Sequence, residues 1–579
     1  MPEYIVNDNQ LTGIANLIRR NLKDSSSYSY VEGMISKVPS LGEYKDKDIA
    51  EFSKFTNISY SGSISRIGVN AFTFKPIETV KFDSVTALND SAFYRCSCLR
   101  TADFPSCSYM GRYAFGLCQS LQSVSFPACS YVNDCAFIAD QSLEDVNFPI
   151  CNYIGSTAFQ SCSSLQSVSF PVCSYIGGSA FAFCPSLQSA NFPACKYVGF
   201  GAFYNCSSLQ TANFPSCNFV SSSAFVNCTS LQTVNFTACS YINASAFAEC
   251  CSLESANFPS CNYIGAAVFI RCSSMQTANF PACSYVGNYA FYNCYALSSI
   301  SFPVCSDLGY GAFSCCSSIQ TVDFPVCSII RDSAFCSCSS LQFASFPACS
   351  YIAADAFAFC SALSQINISS CKYISQGAFR SCSALQSASS PVCSFISGAA
   401  FLNCGSLLSV NFPACSYISQ SAFSSCNKLK TANFQSCTNV GSYAFQYCYA
   451  LSSISFPVCE IVWINAFDYC SSLQELNLPA CRSIYRSAFR YCTSLQTVSL
   501  PVCSAIQGGA FVYCSSLQSV YLLSTNLVTL MSRDAFAYTP MSNSTYINAW
   551  GSIYVPSSLV DTYKSATNWT YYSNRIVGI

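Results

Sequence analysis

The sequence predicts a parallel-stranded solenoid of stacked 22-residue coils, and three observations predict it. First, the dipeptide Ala-Phe sets a register. After Phe72 and Phe93 the anchoring Phe falls at 115, 137, 159, 181 and 203, and continues every 22 residues to Phe511, with a looser copy at Ala535-Phe536. Second, 38 of the 43 cysteines fall in two columns, Cys107 to Cys503 and Cys96 to Cys514, interleaved at 11-residue intervals. Third, only 9% of the 579 residues are charged. That is too few for several independent globules, but it suits an array that lengthens its core along one axis.

The unit beginning at Leu165 reads L-Q-S-V-S-F-P-V-C-S-Y-I-G-G-S-A-F-A-F-C-P-S. Alternation across Ser167, Val168, Ser169 and Phe170 predicts a strand with Val168 and Phe170 inward and the serines outward. Pro171 has no N–H for a ladder and ends it. Cys173, three residues after Phe170, occupies the N/C position of the leucine-rich-repeat signature L-x-x-L-x-L-x-x-N/C. Ile176 points back inside. Gly177 suits a turn, yet Arg331 and Trp463 stand at equivalent places, so a positive φ is not required there. The segment Ala180-Phe181-x-x-Cys184 is expected to close the coil as one helical or 3₁₀ turn.

A lone coil buries too little apolar surface to offset the entropy of fixing its backbone, so stability must come from stacking. Exposed end coils would template aggregation, and both ends need caps. Residues 1–57 are expected to form a helical N-terminal cap and attachment segment. Asn9 caps one helix through Leu11, Ile14, Leu17, Ile18 and Leu22, and Ser25-Ser26-Ser27 separates it from a second around Val31, Met34, Ile35 and Val38. The solenoid is assigned to 58–522, its first coils imperfect. An α/β C-terminal cap takes 523–579. There Ile553-Tyr554-Val555-Pro556 reads as the last strand and Leu559 to Tyr563 as a helix leading into Asn568-Trp569. Trp550 and Trp569 are expected to plug the final coil.

The cysteine columns admit three readings. A metal site needs clustered thiolates, usually C-x-x-C, often with histidine; the chain has neither, so no metal and no cofactor is expected. Vertical disulfides would join coils about 4.8 Å apart, within reach, but with parallel Cβ vectors. The third reading makes the thiols small buried hydrophobes with a weak donor near neighbouring backbone. Cys98, Cys135, Cys251, Cys315 and Cys336 fall outside the columns and are expected to be exposed and oxidisable.

The chain has no histidine, which removes the commonest general base and the usual partner of a Ser or Cys nucleophile. The acids are scattered and no glycine-rich phosphate loop is present. The chain is therefore read as non-enzymatic. Net charge is −1 with no basic stripe, which argues against nucleic acid. Polar residues interrupt every apolar stretch, so no membrane insertion is expected. The first residues show no secretory leader and the last no anchor, so the chain is expected to be made in the cytoplasm as a soluble protein.

Binding is the reading the surface positions favour. The outward strand positions carry Ser167/Ser169, Ser189/Asn191, Thr211/Asn213 and Thr233/Asn235, a neutral hydrogen-bonding face. A tyrosine column follows the first cysteine: Tyr131, Tyr153, Tyr175, Tyr197, Tyr241, Tyr263 and Tyr285. These rings could take sugars or protein side chains, or could simply pack on one another along the ladder. The residues flanking Ala-Phe vary most between copies, as in Phe200-Gly201, Tyr204-Asn205, Asn288-Tyr289 and Tyr292-Asn293. The ligand-binding candidates are those tyrosines with Tyr204, Asn205, Asn288, Tyr289, Tyr292 and Asn293.

The unit L-x-x-V-x-F-P-x-C-x-Y-I-G-x-x-A-F-x-x-C-x-S resembles the BspA-like leucine-rich-repeat family over roughly residues 58–540. It departs from the family's form by running one residue short per unit and placing Cys after the proline. The resemblance implies the solenoid fold and adhesion to host proteins or other cells, as for microbial surface proteins, and carries over no catalytic residues. The flanks Leu11-Thr12-Gly13-Ile14-Ala15-Asn16-Leu17-Ile18-Arg19 and Gly551-Ser552-Ile553-Tyr554-Val555-Pro556 resemble phage and prophage tail-associated repeat proteins. The expectation is a phage virion protein that binds a host cell-surface protein or glycan. Its N-terminal segment would contact other virion proteins, and an oligomer is compatible with this. A bacterial surface adhesin exported by an unconventional route, and a passive spike or spacer, are the alternatives.

Overall fold

The computed structural model describes residues 56–60, 65–542 and 550–579. The helical cap expected from the N-terminal sequence falls almost wholly outside these residues. The chain divides into two units, 1–283 and 284–579, each a stack of parallel coils.

In the first unit, the coil from Leu165 shows how 22 residues close. Ser167–Ser169 forms a strand paired in parallel with Ser189–Asn191, in the register Ser167↔Ser189, Val168↔Ala190 and Ser169↔Asn191. The chain turns at Pro171-Val172 and forms a second, two-residue strand, Tyr175–Ile176, paired with Tyr197–Val198. Leu165, Val168, Phe170, Cys173, Ile176, Ala180, Phe181 and Cys184 are all buried, the inward set that the periodicity predicts. The first strands of the stack, Asn57–Tyr60 and Arg66–Ile67, pair with Thr79–Phe82 and Ala87–Leu88.

The third side of the coil departs from expectation. Ala180-Phe181-x-x-Cys184 forms neither an α- nor a 3₁₀-helical turn; residues 178–183 run through successive turns. Ser179 and Phe183 adopt left-handed backbone, with φ of 53° and 59°. The N–H groups of Ser179, Phe181 and Phe183 therefore point along the stack and donate to Phe200, Ala202 and Tyr204 carbonyls, each at 2.7 Å. A helical turn would spend those donors within its own coil. Alternating hand instead makes a third intercoil ladder, which leaves fewer backbone groups unpaired in a stack. Gly177 itself is not left-handed. A Cβ there would lie 2.5 Å from the Ser156 nitrogen, so close approach between coils explains the glycine.

Two phenylalanine columns fill the core. Phe159 and Phe181 stack at 5.2 Å, Phe170 and Phe192 at 5.4 Å, and the columns meet at a tilt, as Phe170 and Phe181 do at 6.3 Å. Stacked and inclined rings satisfy the preference of aromatic quadrupoles.

The second unit repeats the pattern: Ser409–Asn411 pairs with Thr431–Asn433, and Tyr417–Ile418 with Phe395–Ile396. Its ladder runs on to Thr529–Leu530, and Phe536 stacks on Phe511 at 5.3 Å. Ser552–Val555 then adds to the strand face. It is not the last strand, because Ile576–Gly578 pairs parallel beyond it. Between them lie a 3₁₀ turn Ser557–Leu559, a helix Val560–Ser565 and a 3₁₀ segment Trp569–Arg575. Trp569 is 1% exposed and its Nε1 donates to the Val528 carbonyl at 2.8 Å. Trp550 does not share in the plug; it is 52% exposed. Bulk alone does not bury a side chain that the chain's path leaves at the margin.

The thiol columns are buried, and their thiols turn toward backbone carbonyls. Cys173 donates to the Tyr175 carbonyl at 3.3 Å, while Cys162 and Cys184 reach back a coil to Phe137 and Phe159, both at 3.2 Å. Burial pushes the Cys173 and Cys184 thiols up to about 12. Of the cysteines outside the columns, Cys98 is exposed and Cys251, Cys315 and Cys336 are half-buried. Cys135 corrects the expectation of exposure. It is buried, with Sγ 2.9 Å from the Thr157 hydroxyl, because its left-handed backbone turns it against the next coil. The second column is interrupted once, where Asp140 stands fully buried in the place of a thiol.

Candidate recognition surface

The tyrosine column of the first unit forms a rail. Tyr131, Tyr153, Tyr175 and Tyr197 stack face to face at 4.3, 4.8 and 5.0 Å. Phe219 continues the rail at 5.3 Å, followed by Tyr241 and Tyr263, the latter pair 4.3 Å apart. The rings cover one another's faces and are half-buried. The arrangement is that of a packed ladder, open to a ligand only at ring edges. Tyr285 stands at the matching place in the second unit.

The neutral strand face is organised by its amides. Asn191 donates to the Ser169 hydroxyl at 3.2 Å, Asn213 to Asn191 at 2.7 Å and Asn235 to Asn213 at 2.8 Å. Asn191 and Asn213 each use one donor and one acceptor along the ladder and keep the rest for solvent or ligand.

The variable residues flanking Ala-Phe lie on the third side, away from the tyrosine column. Asn205 and Asn293 are left-handed, and so is Tyr289. Tyr204 packs edge-on against Phe183 at 5.3 Å, and the Asn205 side chain accepts from Asn227. In the second unit Tyr289, 49% exposed, meets Tyr292 edge-on at 5.9 Å, and the Asn288 carboxamide accepts from the Tyr310 N–H at 2.9 Å. The sequence candidates thus occupy two sides of the coil and do not form one site.

A denser cluster lies on the third side of the second unit, among residues the sequence analysis did not single out. Tyr447, Tyr469, Tyr491, Tyr513 and Tyr538 form a rail with spacings of 5.4, 4.4, 4.5 and 4.5 Å. At the other margin of the same side Trp463 stacks on Tyr485 at 4.4 Å. The Arg490 guanidinium lies beside the Tyr469–Tyr491 stack, 5.7 and 5.6 Å from the two ring centres. Its Nε and Nη2 donate to the two carboxylate oxygens of Asp468 at 2.9 and 2.8 Å. Asp468 is fully buried and also accepts from Gln446 and Asn465, both at 3.1 Å. Pairing with that carboxylate holds the guanidinium above its ordinary pKa. A pair with its carboxylate buried in this way fixes geometry more surely than it adds stability. The sequence carried the signal, since A-F-x-Y-C recurs in four successive copies ending at Cys448, Cys470, Cys492 and Cys514.

Among the described residues no group of three or more His, Cys, Asp or Glu side chains could hold a metal ion. Nor is any helix of these residues long and apolar enough to cross a membrane.

Among curated proteins none matches the chain. Solved structures that resemble it include three bacterial leucine-rich repeat proteins. A leucine-rich repeat protein from Bacteroides ovatus is 20% identical, with 72% of this chain and 83% of that chain covered and a TM-score of 0.37. A leucine rich cell surface protein from Faecalibacterium prausnitzii is 20% identical over 68% and 89%, TM-score 0.27. A leucine-rich repeat protein from Eubacterium ventriosum is 16% identical over 62% and 86%, TM-score 0.24. The BspA type leucine rich repeat region matches residues 45–166, 152–276, 262–386, 350–462 and 438–556, and with nearly the whole solenoid so matched the chain belongs to that family.

Proposed function

We propose that the chain is a non-enzymatic recognition and adhesion protein whose solenoid displays a binding surface on a phage particle. One observation carries the recognition reading: the inward positions are nearly invariant from coil to coil, while the third side varies and gathers Tyr, Trp and Arg at 447–538. Such side chains give a rigid surface of aromatic edges, polar tips and charged donors, which a protein or a glycan ligand can use. A passive spacer needs the inward set but has no use for a bidentate pair that fixes Arg490 beside two stacked tyrosines.

The phage assignment is supported by the likeness of the flanks 11–19 and 551–556 to tail-associated repeat proteins. The first of these lies outside the described residues. In this reading the N-terminal segment attaches to other virion proteins and the solenoid meets a host cell-surface protein or glycan.

The test is to raise antibody against the purified chain and probe purified particles and host cell envelopes in parallel. Labelled particles, together with saturable binding of the purified chain to intact bacteria, are the expected result. Labelled envelopes without particles would replace the phage reading with a bacterial surface adhesin. No saturable binding to any cell would leave a structural spike.

A further inference from the structure

The stretch Tyr485-Arg486-Ser487-Ala488-Phe489-Arg490-Tyr491 sets two cations between two aromatic rails. The two cations are not equivalent. Arg490 is committed through Nε and Nη2 to the buried Asp468, which leaves Nη1 outside the pair. Arg486 is exposed and makes no ion pair among the described residues. A free guanidinium is a donor fork matched to carboxylate geometry.

The rails decide what else a ligand would meet. In this rail Tyr491 and Tyr513 have both ring faces covered at 4.4–4.5 Å. None of their hydroxyls hydrogen-bonds to a protein group among the described residues. What the rail presents is a row of polar phenol tips at the coil spacing. A protein hot spot needs an apolar anchor seated in a desolvated pocket, and stacked edges offer no such seat. A polyhydroxylated chain needs repeated donors and acceptors on a rigid support, and here the support loses little entropy on binding.

We propose that this side of the second unit binds a carboxylate-bearing glycan. Arg486 takes the carboxylate, the hydroxyls of Tyr469, Tyr491 and Tyr513 bond to sugar hydroxyls, and Arg490 holds the rail in register as a positioning residue. The inference rests on the recognition reading above and names its ligand class.

The test uses the full chain with immobilised polygalacturonate, alginate and hyaluronate as probes, and dextran and poly-L-glutamate as comparators. Binding to at least one carboxylated glycan, weakened by salt and absent on dextran, is expected. Arg486→Gln, and separately the pair Tyr491→Phe with Tyr513→Phe, should each weaken it roughly tenfold, the loss that goes with hydrogen bonds to a charged or polar group. The Phe variants keep every ring stack, so an unchanged melting temperature separates lost contact from lost fold. Equal binding to dextran, binding to poly-L-glutamate alone, no binding to any of the three glycans, or full binding by the Phe pair would each overturn the proposal. Intact bacteria are assayed with the same proteins. If the variants bind cells as the parent does, this site falls and the recognition reading stands; if the parent binds no cells, that reading falls too.

Discussion

The Cys162 thiol donates to the carbonyl of Phe137 at 3.2 Å, a bond that reaches from one coil back to the coil before it. Cys206 and Cys228 make the same bond to Phe181 and Phe203, at 3.0 and 3.1 Å. A serine hydroxyl would donate more strongly but cost more to bury, and an alanine would leave the carbonyl a partner short. Cysteine meets the two demands, apolar bulk and a weak donor.

Thiol reactivity should divide accordingly. Burial raises column thiols such as Cys173 and Cys404 to about 12, so little thiolate forms there near neutrality. Brief iodoacetamide treatment of the folded chain should label Cys98, Cys251, Cys315 and Cys336, which are exposed or half-buried, and spare the columns and Cys135. Peptide mass mapping reads the result, with labelling in denaturant as the reference. Column cysteines labelling as fast as Cys98 would mean that the coils open.

Asp140 gives the stack a pH dependence. Its Oδ1 accepts from the Cys118 N–H at 2.7 Å, its Oδ2 has no partner, and burial holds its pKa well above the ordinary value of 3.8. The sign follows from linkage. Its contribution is fully present below the unfolded pKa of about 4. It is lost as pH climbs from there toward the raised folded value, because the unfolded chain releases the proton first. Asp140→Cys, which restores the column, should therefore raise the melting temperature more at pH 7 than at pH 4. An equal gain at both would show that the carboxyl ionises freely in the fold.

Left-handed backbone at two positions per coil is costly for residues with a Cβ, about 1–2 kcal/mol each. Ala267 and Ala399 stand at such positions, with φ of 55° and 54°, where Gly201 and Gly311 serve elsewhere at 58° and 55°. Glycine gives back about 0.5–1 kcal/mol through the freedom of the unfolded chain. Ala267→Gly and Ala399→Gly should each stabilise by roughly 0.5–1 kcal/mol on balance, and Gly201→Val should destabilise. Denaturant melts that rank these variants in the opposite order would refute the alternating-hand description of the third side.

The first-unit rail should behave as packing. Tyr175 stacks on Tyr153 and on Tyr197, and aromatic contacts of this kind contribute about 0.5–1.5 kcal/mol each. Tyr175→Ala should cost roughly 1–3 kcal/mol in chemical denaturation, while Tyr175→Phe costs little and leaves binding to bacteria unchanged. Loss of cell binding in the Phe variant at full stability would instead make that hydroxyl a contact.

The inward half of the coil was legible because burial restricts each position to one kind of side chain: Leu165, Phe170, Cys173 and Phe181 announce themselves by repetition. The third side was not. Left-handed places are filled by Ser179, Phe183, Tyr289, Arg271 and Asp355, so no residue type marks them, and Ala-Phe read naturally as a helical turn. The Tyr469–Tyr491–Tyr513 rail stood in plain view as A-F-x-Y-C. Periodicity, however, does not say whether a repeated tyrosine faces in or out. Asp468 gave no signal at all, since a lone acid in a variable position becomes meaningful only once Arg490 is seen beside it.

The C-terminal cap offers a paired test of what ends the stack. Trp569 is 1% exposed, bonds the Val528 carbonyl and packs edge-on against Tyr563 at 5.1 Å. Tyr563 and Tyr572 accept in turn from the N–H groups of Val528 and Phe536, at 3.1 and 3.2 Å. These three side chains satisfy backbone groups that no further coil is there to pair. Trp569→Ala should cost about 3–5 kcal/mol, and the loss should be local, with amides of Thr529–Leu530 and Phe536 exchanging with solvent well before those of the central coils. The bared end should also associate, seen as growing mass in light scattering at rising concentration. Trp550, 52% exposed, is the control: Trp550→Ala should stay within about 0.5 kcal/mol of the parent. Similar losses from both substitutions would mean that the two tryptophans plug the end together.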